Sequence, residues 1–447
     1  MKAVLAGAWG YHLKFWRYGP KTEKMVQEAL AREHWSTGEW EAWQKEKLLR
    51  ILASAEERVP YYRNYWKSVE TGSGESWKQL ERWPLLNKES LRKSPHDFVA
   101  AGCSTSKMYR ESTSGSTGTP LTLWVSRENL QFWYALFEAR WRRWYGVSMT
   151  DRWAILGGQP IVRSRRKKPP FWIWNPAFSQ LYMSSYHLSP DNLPYYLDAL
   201  KRYRVKYLLG YPSALYTLAR AVEGKPGNFD LKVIITNAEP LLAQHRLVME
   251  RAFGCPVRET YGMTEMVAAA SECEHHTLHL WPEAGIVESI GEEHEIIATG
   301  LINENMPLIR YRVGDRAVLA PRSEQCPCGR TLPILKSLEG RSDDVVCTRD
   351  GKIIGRLDPV FKGQSRICEA QIIQETIDRI RILVVPGEGY SHNDETELIR
   401  HLRERLGEME VVIEKVGAIP RGPNGKFRAV LSRVTPGDAG KRNLGAG

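Results

Sequence analysis

Apolar positions recur at helical spacing through the first sixty residues. The run Thr22-Glu23-Lys24-Met25-Val26-Gln27-Glu28-Ala29-Leu30 and residues 43–59 each gather apolar side chains on one face, and the pattern breaks at Val59-Pro60. Trp83-Pro84-Leu85-Leu86 reads as an extended entry to a short helix capped by Asn87. Residues 127–144 predict a long helix whose Trp, Phe and Tyr side chains belong to the core. From residue 150 short apolar runs alternate with helices: strands at 152–158, 206–210 and 232–237, helices at 191–203 and 213–222. That alternation predicts an α/β fold, a mostly parallel sheet with helices on both faces. Ligands of such sheets sit beyond the carboxyl ends of the strands. Three polar clusters fall there: Gly210-Tyr211-Pro212-Ser213, Asn237-Ala238-Glu239-Pro240 and Thr260-Tyr261-Gly262-Met263-Thr264-Glu265.

Beyond residue 287 the pattern turns to short strands, at 295–299 and 308–312. The C-terminal part has its own strand at 380–385, helix at 394–406 and strand at 411–413, the composition of a small α+β domain. Residues 436–447 carry no packing signal and are expected to be disordered.

With 447 residues, two or three domains are expected. The charge of +11, from 63 basic and 52 acidic residues, favours polyanionic partners. Nucleic acid is not expected, because neither an aromatic platform nor a zinc-finger spacing is present. An anionic membrane surface or a phosphorylated small molecule stays open. Part of the charge sits in Arg163-Ser164-Arg165-Arg166-Lys167-Lys168, which reads as a solvated loop or as a docking patch for a phosphorylated cosubstrate or an anionic surface. No stretch of about 18 apolar residues exists, so no transmembrane segment is expected. The start, Met1 to Gly10, imitates a signal peptide only weakly, and a cytoplasmic protein is expected. The seven cysteines, including Cys326-Pro327-Cys328, read as reduced thiols with a metal role open to them.

The candidate chemistry begins at Glu111-Ser112-Thr113-Ser114-Gly115-Ser116-Thr117-Gly118-Thr119-Pro120. Glycines let backbone N–H groups approach an anion, and hydroxyls add donors, so the stretch suits a phosphate. It lacks the lysine of the common nucleoside-triphosphate loop, so a cation must come from elsewhere. Four further islands follow in order. Thr260 to Glu265 sets an aromatic face near a carboxylate, Tyr311-Arg312-Val313-Gly314-Asp315 offers an acid on a turn, and Gly340-Arg341-Ser342-Asp343-Asp344 adds an arginine. Pro420-Arg421-Gly422-Pro423-Asn424-Gly425-Lys426-Phe427 carries a lysine on a Gly/Pro loop.

Together these islands resemble the adenylate-forming superfamily of acyl-CoA synthetases and adenylation domains, and within it the phenylacetate–CoA ligase family, over roughly residues 45–435. Val59-Pro60-Tyr61-Tyr62-Arg63 and Pro84-Leu85-Leu86-Asn87-Lys88 are similar to that family's N-terminal part. The resemblance implies a large N-terminal domain (1–342) of mixed sheets flanked by helices with a small β subdomain, a small mobile C-terminal domain (343–435), and the tail. It implies ATP-dependent activation of a carboxylic acid, with aromatic acids among the candidates, to an acyl adenylate with release of pyrophosphate, then transfer to coenzyme A. Ser114, Gly115, Ser116, Thr117 and Gly118 would hold the β- and γ-phosphates. Tyr261 would pack on adenine within Gly262 and Thr264, with Ala238, Glu239 and Pro240 as the opposite wall. Glu265 would hold Mg²⁺ with Thr117 nearby. Asp315 would bind the ribose hydroxyls beside Arg341. Lys426 would supply the missing cation, swung in and out about Asp343. The family's usual lysine after the loop proline is replaced by Leu121, a feature of the phenylacetate-type branch, and the Arg421-Gly422-Pro423 context of Lys426 is less typical.

Cys273, Cys326, Cys328 and His279 fit a structural zinc set, with His275 and His276 competing for the fourth place. The alternative activity keeps the adenylate but passes the acyl group, or AMP itself, to a non-CoA acceptor such as an amine, in cofactor or polysaccharide pathways. A homodimer is compatible with all of this. A binding protein without turnover is disfavoured by the presence of Lys426, Glu265 and Asp315.

Overall fold

The structure is a computed structural model of the chain. It describes residues 2–65, 80, 81, 83–113, 121–159, 161, 162, 166–224, 228–341, 346–348, 353, 354, 357, 360, 364, 366–422 and 427–434. Ser114, Gly115, Ser116, Thr117, Gly118, Asp343, Lys426 and the 436–447 tail lie outside the described residues, and of Arg341 only the backbone is described.

The chain forms two compact units, one of residues 1–241, 245–313 and 317–337, the other of 242–244, 314–316 and 338–447. In the first, helices α1 (Lys2–Arg17), α2 (Thr22–Arg32), α3 (Thr37–Arg58), α4 (Pro60–Tyr65) and α5 (Lys88–Lys93) precede the hairpin β1 (Tyr109–Ser112)–β2 (Thr122–Val125) and helix α6 (Arg127–Trp141). The capping box of Ser36 with Glu39 starts α3, and Ser126 caps α6 through Asn129 N–H. Asn87 does stand at the N-cap of α5, but its side chain makes no cap bond.

Strands β3 (Trp153–Gly157), β4 (Trp172–Asn175), β5 (Gln180–Ser184), β6 (Tyr207–Gly210), β7 (Val233–Thr236) and β8 (Val257–Gly262) alternate with α7 (Leu193–Arg202), α8 (Pro212–Arg220) and α9 (Ala243–Phe253). The order β5-β3-β6-β7-β8 is parallel throughout. The side chains of these strands alternate between two cores. Leu208 and Ile234 pack with Leu200, Leu215 and Phe253 of the α7–α9 layer; Leu209, Val233 and Ile235 pack with Val26, Leu130 and Leu136 of α2 and α6. Each such burial contributes roughly 1.5–3 kcal/mol.

The sheet is mixed, not mostly parallel. Antiparallel β4 closes one edge, and β9 (Ala269–Glu272), β10 (Leu278–Leu280), β11 (Gly285–Ile290), β12 (Glu295–Gly300), β13 (Tyr311–Leu319) and β14 (Ile334–Arg341) extend the other, in the order β11-β12-β13-β14-β10-β9-β8. The strand expected at 308–312 begins only at Tyr311. Arg310 before it has φ +46° and its guanidinium grips Glu288 (2.9 Å) and the carbonyls of Glu81 and Trp83, which turns the backbone. Asp315 lies inside β13 instead of on a turn, next to Gly314 at φ +80°.

The second unit holds β15 (Val346–Cys347), β16 (Ile353–Ile354) and a four-stranded sheet, β19-β18-β17-β20, built from β17 (Ile367–Thr376), β18 (Arg379–Pro386), β19 (Glu410–Lys415) and β20 (Val430–Ser432). Helix α10 (His392–Leu406), started by the Ser391/Asp394 capping box, buries Leu398 and Leu402 against Ile372, Ile380, Ile382 and Val384. Among the described residues no helix is long and apolar enough to cross a membrane.

Candidate active site

Three carboxyl ends of parallel strands carry the site of the first unit. Strand β6 ends at Gly210, where a Cβ would lie 2.4 Å from Leu156 O, so only glycine allows the strand to pass β3 this closely. Tyr211 follows as the N-cap of α8, and burial pushes its phenol up to about 12, which keeps it a proton donor at neutral pH.

Beyond β7 the backbone is locked by Asn237 N–H donating to Gly210 O (3.1 Å). Ala238 adopts φ +64°, an uncommon state for a residue with a Cβ, and turns Glu239 back toward α8. Glu239 Oε2 accepts the Ser213 N–H at 3.1 Å, so this carboxylate satisfies an open donor of the first turn of α8. Asn237 Oδ1 is buried with no hydrogen-bond partner among the described residues. An acceptor left open beside strand ends can take a hydrogen bond from water or from a ligand donor such as an amine.

Strand β8 ends in Thr260-Tyr261-Gly262. Thr260 Oγ1 donates to Thr236 O (2.7 Å), tying β8 to β7, and Tyr261 is 9% exposed. Thr264 and Glu265 stand in the following turn, and Glu265 Oε1 accepts the hydroxyl of Tyr311 at 2.8 Å. Tyr311 is fully buried, Leu86 pairs with it in parallel, and the Lys88 ammonium lies 5.9 Å from its ring centroid and donates to Val313 O. The expected motif residues Ala238, Glu239, Tyr261 and Glu265 thus lie at neighbouring strand ends of one unit. Asp315 is grouped with the second unit.

Sequence reasoning gave Tyr311, Asn237 and Lys88 no role, although all three stand inside quoted motifs. The missing signal for Tyr311 is its partner, 46 residues away along the chain.

A second cluster lies in the same unit. Sulfur and nitrogen atoms of Cys273, His279, Cys326 and Cys328 all fall within 4.8 Å of one another. Cys273 Sγ is 3.6 Å from Cys326 Sγ, and Cys328 Sγ is 3.4 Å from His279 Nε2. These spacings match a tetrahedron with metal–sulfur bonds of about 2.3 Å, whose sulfurs would stand about 3.7 Å apart, and exclude a disulfide. His279 Nδ1 faces Leu332 O at 3.3 Å, so its proton belongs there and Nε2 keeps its lone pair. Burial lowers this imidazole to about 4, which keeps it neutral. His276 instead binds Glu272 at 2.7 Å. Around the cluster, Arg330 stacks on Trp144 (4.2 Å) and pairs with Glu274 (2.9 Å) and Glu33 (3.3 Å), and the Trp144 ring meets His279 edge-on.

Residues 108–294 match the family described as AMP-binding enzyme, and residues 346–433 match the CapK C-terminal domain. The protein CapK of Staphylococcus aureus is 27% identical over 79% of this chain and 80% of its own. A phenylacetate-coenzyme A ligase of Thermus thermophilus is 23% identical over 93% of this chain and 99% of its own. Among solved structures, 2-hydroxyisobutyryl-CoA ligase in its postadenylation state superimposes with a TM-score of 0.70 at 21% identity, covering 90% of this chain and 91% of that one. The AMP-binding enzyme match over the strand-end residues, the second match over the small sheet unit and the fold shared over nine-tenths of the chain point the same way: the chain carries an AMP-binding domain and is similar to phenylacetate–coenzyme A ligases.

Proposed function

We propose that the chain is an AMP-forming ligase that activates a carboxylic acid with ATP and transfers the acyl group to coenzyme A. The observation that carries this reading is the Glu265 carboxylate, held by the buried Tyr311 hydroxyl at 2.8 Å just beyond Tyr261 at a strand end. Adenine packs on Tyr261 and Gly262, with Ala238, Glu239 and Pro240 as the opposite wall, and its exocyclic amine has an acceptor in Asn237 Oδ1. Ser114 to Gly118 cradle the β- and γ-phosphates. Asp315 takes the ribose hydroxyls, with Arg341 beside it. Glu265, with Thr117, would hold Mg²⁺, which would neutralise phosphate charge through hard oxygen contacts.

The acid's carboxylate attacks the α-phosphorus, pyrophosphate leaves, and Lys426 stabilises the charge that builds on the α-phosphate oxygens. Coenzyme A thiolate then attacks the acyl carbonyl and expels AMP, after the domain bearing Lys426 (343–435) turns about Asp343. The four-ligand cluster fits structural zinc, since none of Cys273, His279, Cys326 and Cys328 belongs to the reacting set. We assign the enzyme to the cytoplasm, where ATP and coenzyme A are supplied, with a homodimer as its assembly.

Residues 346–433, which match the CapK C-terminal domain and not a coenzyme A ligase domain, favour a second reading. In it, the acyl group or AMP passes to an amine or another non-thiol acceptor. Acid-dependent ATP–pyrophosphate exchange across aryl and alkyl acids, with and without coenzyme A, tests both. Exchange plus thioester is expected; exchange without thioester moves the assignment to the second reading, and ATP binding without exchange under any acid removes both.

A further inference from the structure

Helix α1 presents a face that its own fold does not cover. Its inner side packs on the edge strand β4 and the residues after it: a Cβ at Gly10 would collide with the Asn175 side chain, and one at Gly7 would touch Pro176. The outer side carries Trp9 (58% exposed), Tyr11 (59%), His12 and Phe15 (55%). Among the described residues, three of the four large apolar side chains more than half exposed sit on this helix. The helix contains no acidic residue, and Lys14 and Arg17 close its last turn. Interfacial helices bear this combination, with Trp, Tyr and Phe at headgroup depth and cations beside them.

The surroundings supply a matching field. A groove of about 560 Å³ opens beside the helix, lined by Tyr11, Lys14, Phe15, Tyr18, Arg127 and Met149. Lys14 and Arg127 put cations on its opening, with Arg127 stacked 3.5 Å from the Phe15 ring centroid. Glu23 also borders the groove, but Arg143 pairs with it at 3.1 Å. The chain enters β4 from Arg166-Lys167-Lys168, all three exposed. That segment leads into β4, the edge strand on which α1 packs, so its cations stand at the same edge of the sheet as the helix.

We propose that α1, the Lys14/Arg127 groove and the Arg166–Lys168 segment form a peripheral docking surface for an anionic phospholipid bilayer. The aromatic side chains enter the interface while the basic groups meet lipid phosphates. Charge complementarity selects this occupant: a second copy of the same +11 chain would bring cations against cations. Docking uses none of the nucleotide-site residues and needs neither acid nor ATP, so it stands or falls apart from the proposed reaction.

Flotation of the whole chain with vesicles of phosphatidylcholine alone, or with about one-third phosphatidylglycerol, tests this surface. Binding to the anionic vesicles only is expected, weakening steeply as salt rises from about 0.05 to 0.5 M. The variant Trp9→Ser/Tyr11→Ser/Phe15→Ser is expected to partition at least about tenfold less. Lys167→Glu/Lys168→Glu, which leaves the helix untouched, is expected to lose roughly tenfold as well. Both should keep wild-type circular dichroism and nucleotide exchange. No binding to either vesicle, or equal binding to both, overturns the proposal. So does a wild-type dimer that becomes a monomer in the triple variant without any vesicle binding, since a second copy would then own the face.

Discussion

At the scale of single residues, the site depends on carboxylates whose freedom has been removed. Glu265 is aimed by one hydroxyl, that of a tyrosine with no solvent access. Hydrogen bonds to charged groups contribute about 1.5–3 kcal/mol, so Tyr311→Phe should lower kcat/KM in ATP–pyrophosphate exchange by about 10- to 100-fold with unchanged circular dichroism. Glu265→Gln should lose at least as much, and the double variant should cost little beyond it if the tyrosine acts through the carboxylate; additive losses would separate the two. The four-ligand cluster makes a different kind of prediction. One zinc per chain is expected by mass spectrometry of the metal, absent in Cys326→Ser/Cys328→Ser, whose melting point should fall by several degrees. A metal-free wild type with full stability would leave the thiols as core residues only.

At the scale of elements, the first unit is pinned by ions buried between helices. Arg140 of α6 donates to Glu283 at 2.8 and 3.0 Å and to Glu33 at 3.3 Å, and Arg32 of α2 adds a bond to Glu283 at 3.0 Å. Burial pushes Glu283 up, yet Arg140 and Arg32 overcome it and hold the carboxyl below its ordinary value. The unfolded chain therefore takes up this proton first as pH falls. Its contribution is complete above the ordinary carboxylate range and drains away below it. Glu283→Gln strands two guanidinium groups and should cost about 3–5 kcal/mol in urea unfolding at pH 7, a loss that narrows at acid pH. No such network is legible in a sequence, because its members are separated by up to 251 positions. Periodicity, by contrast, announces what depends on neighbours alone. It located α2, α3, α6 and, in the alternating part, β3, α7, β6, α8 and β7 to within a few residues, but gave no sign of β4 and β5, and α3 starts at Thr37, six residues ahead of the reading. It failed at Arg310, where a tertiary partner decides the local conformation: the side chain is drawn to Glu288, and β13 starts only at Tyr311.

At the scale of the whole molecule, the candidate chemistry is distributed over segments that only folding assembles, and this is why motif order was readable while geometry was not. Three polar clusters stood out because parallel strands deliver their ends to one side, a rule indifferent to sequence detail. The antiparallel half of the sheet, by contrast, left no comparable trace beyond short apolar runs. The proposed role of Lys426 can be separated by experiment from that of the strand-end residues. If Lys426 acts only on the α-phosphate, Lys426→Ala should depress adenylation by about 10²–10³-fold or more, as removal of a preorganised charge from a developing oxyanion does. Thioester formation from supplied acyl adenylate and coenzyme A should then persist near the wild-type rate, because no phosphate charge develops in that step. Rapid-quench measurement of the two half-reactions decides between this division and a lysine that merely supports the domain. A supporting lysine would slow both steps alike and lower the melting point, whereas a charge used in one step leaves the other step and the melting point where they were.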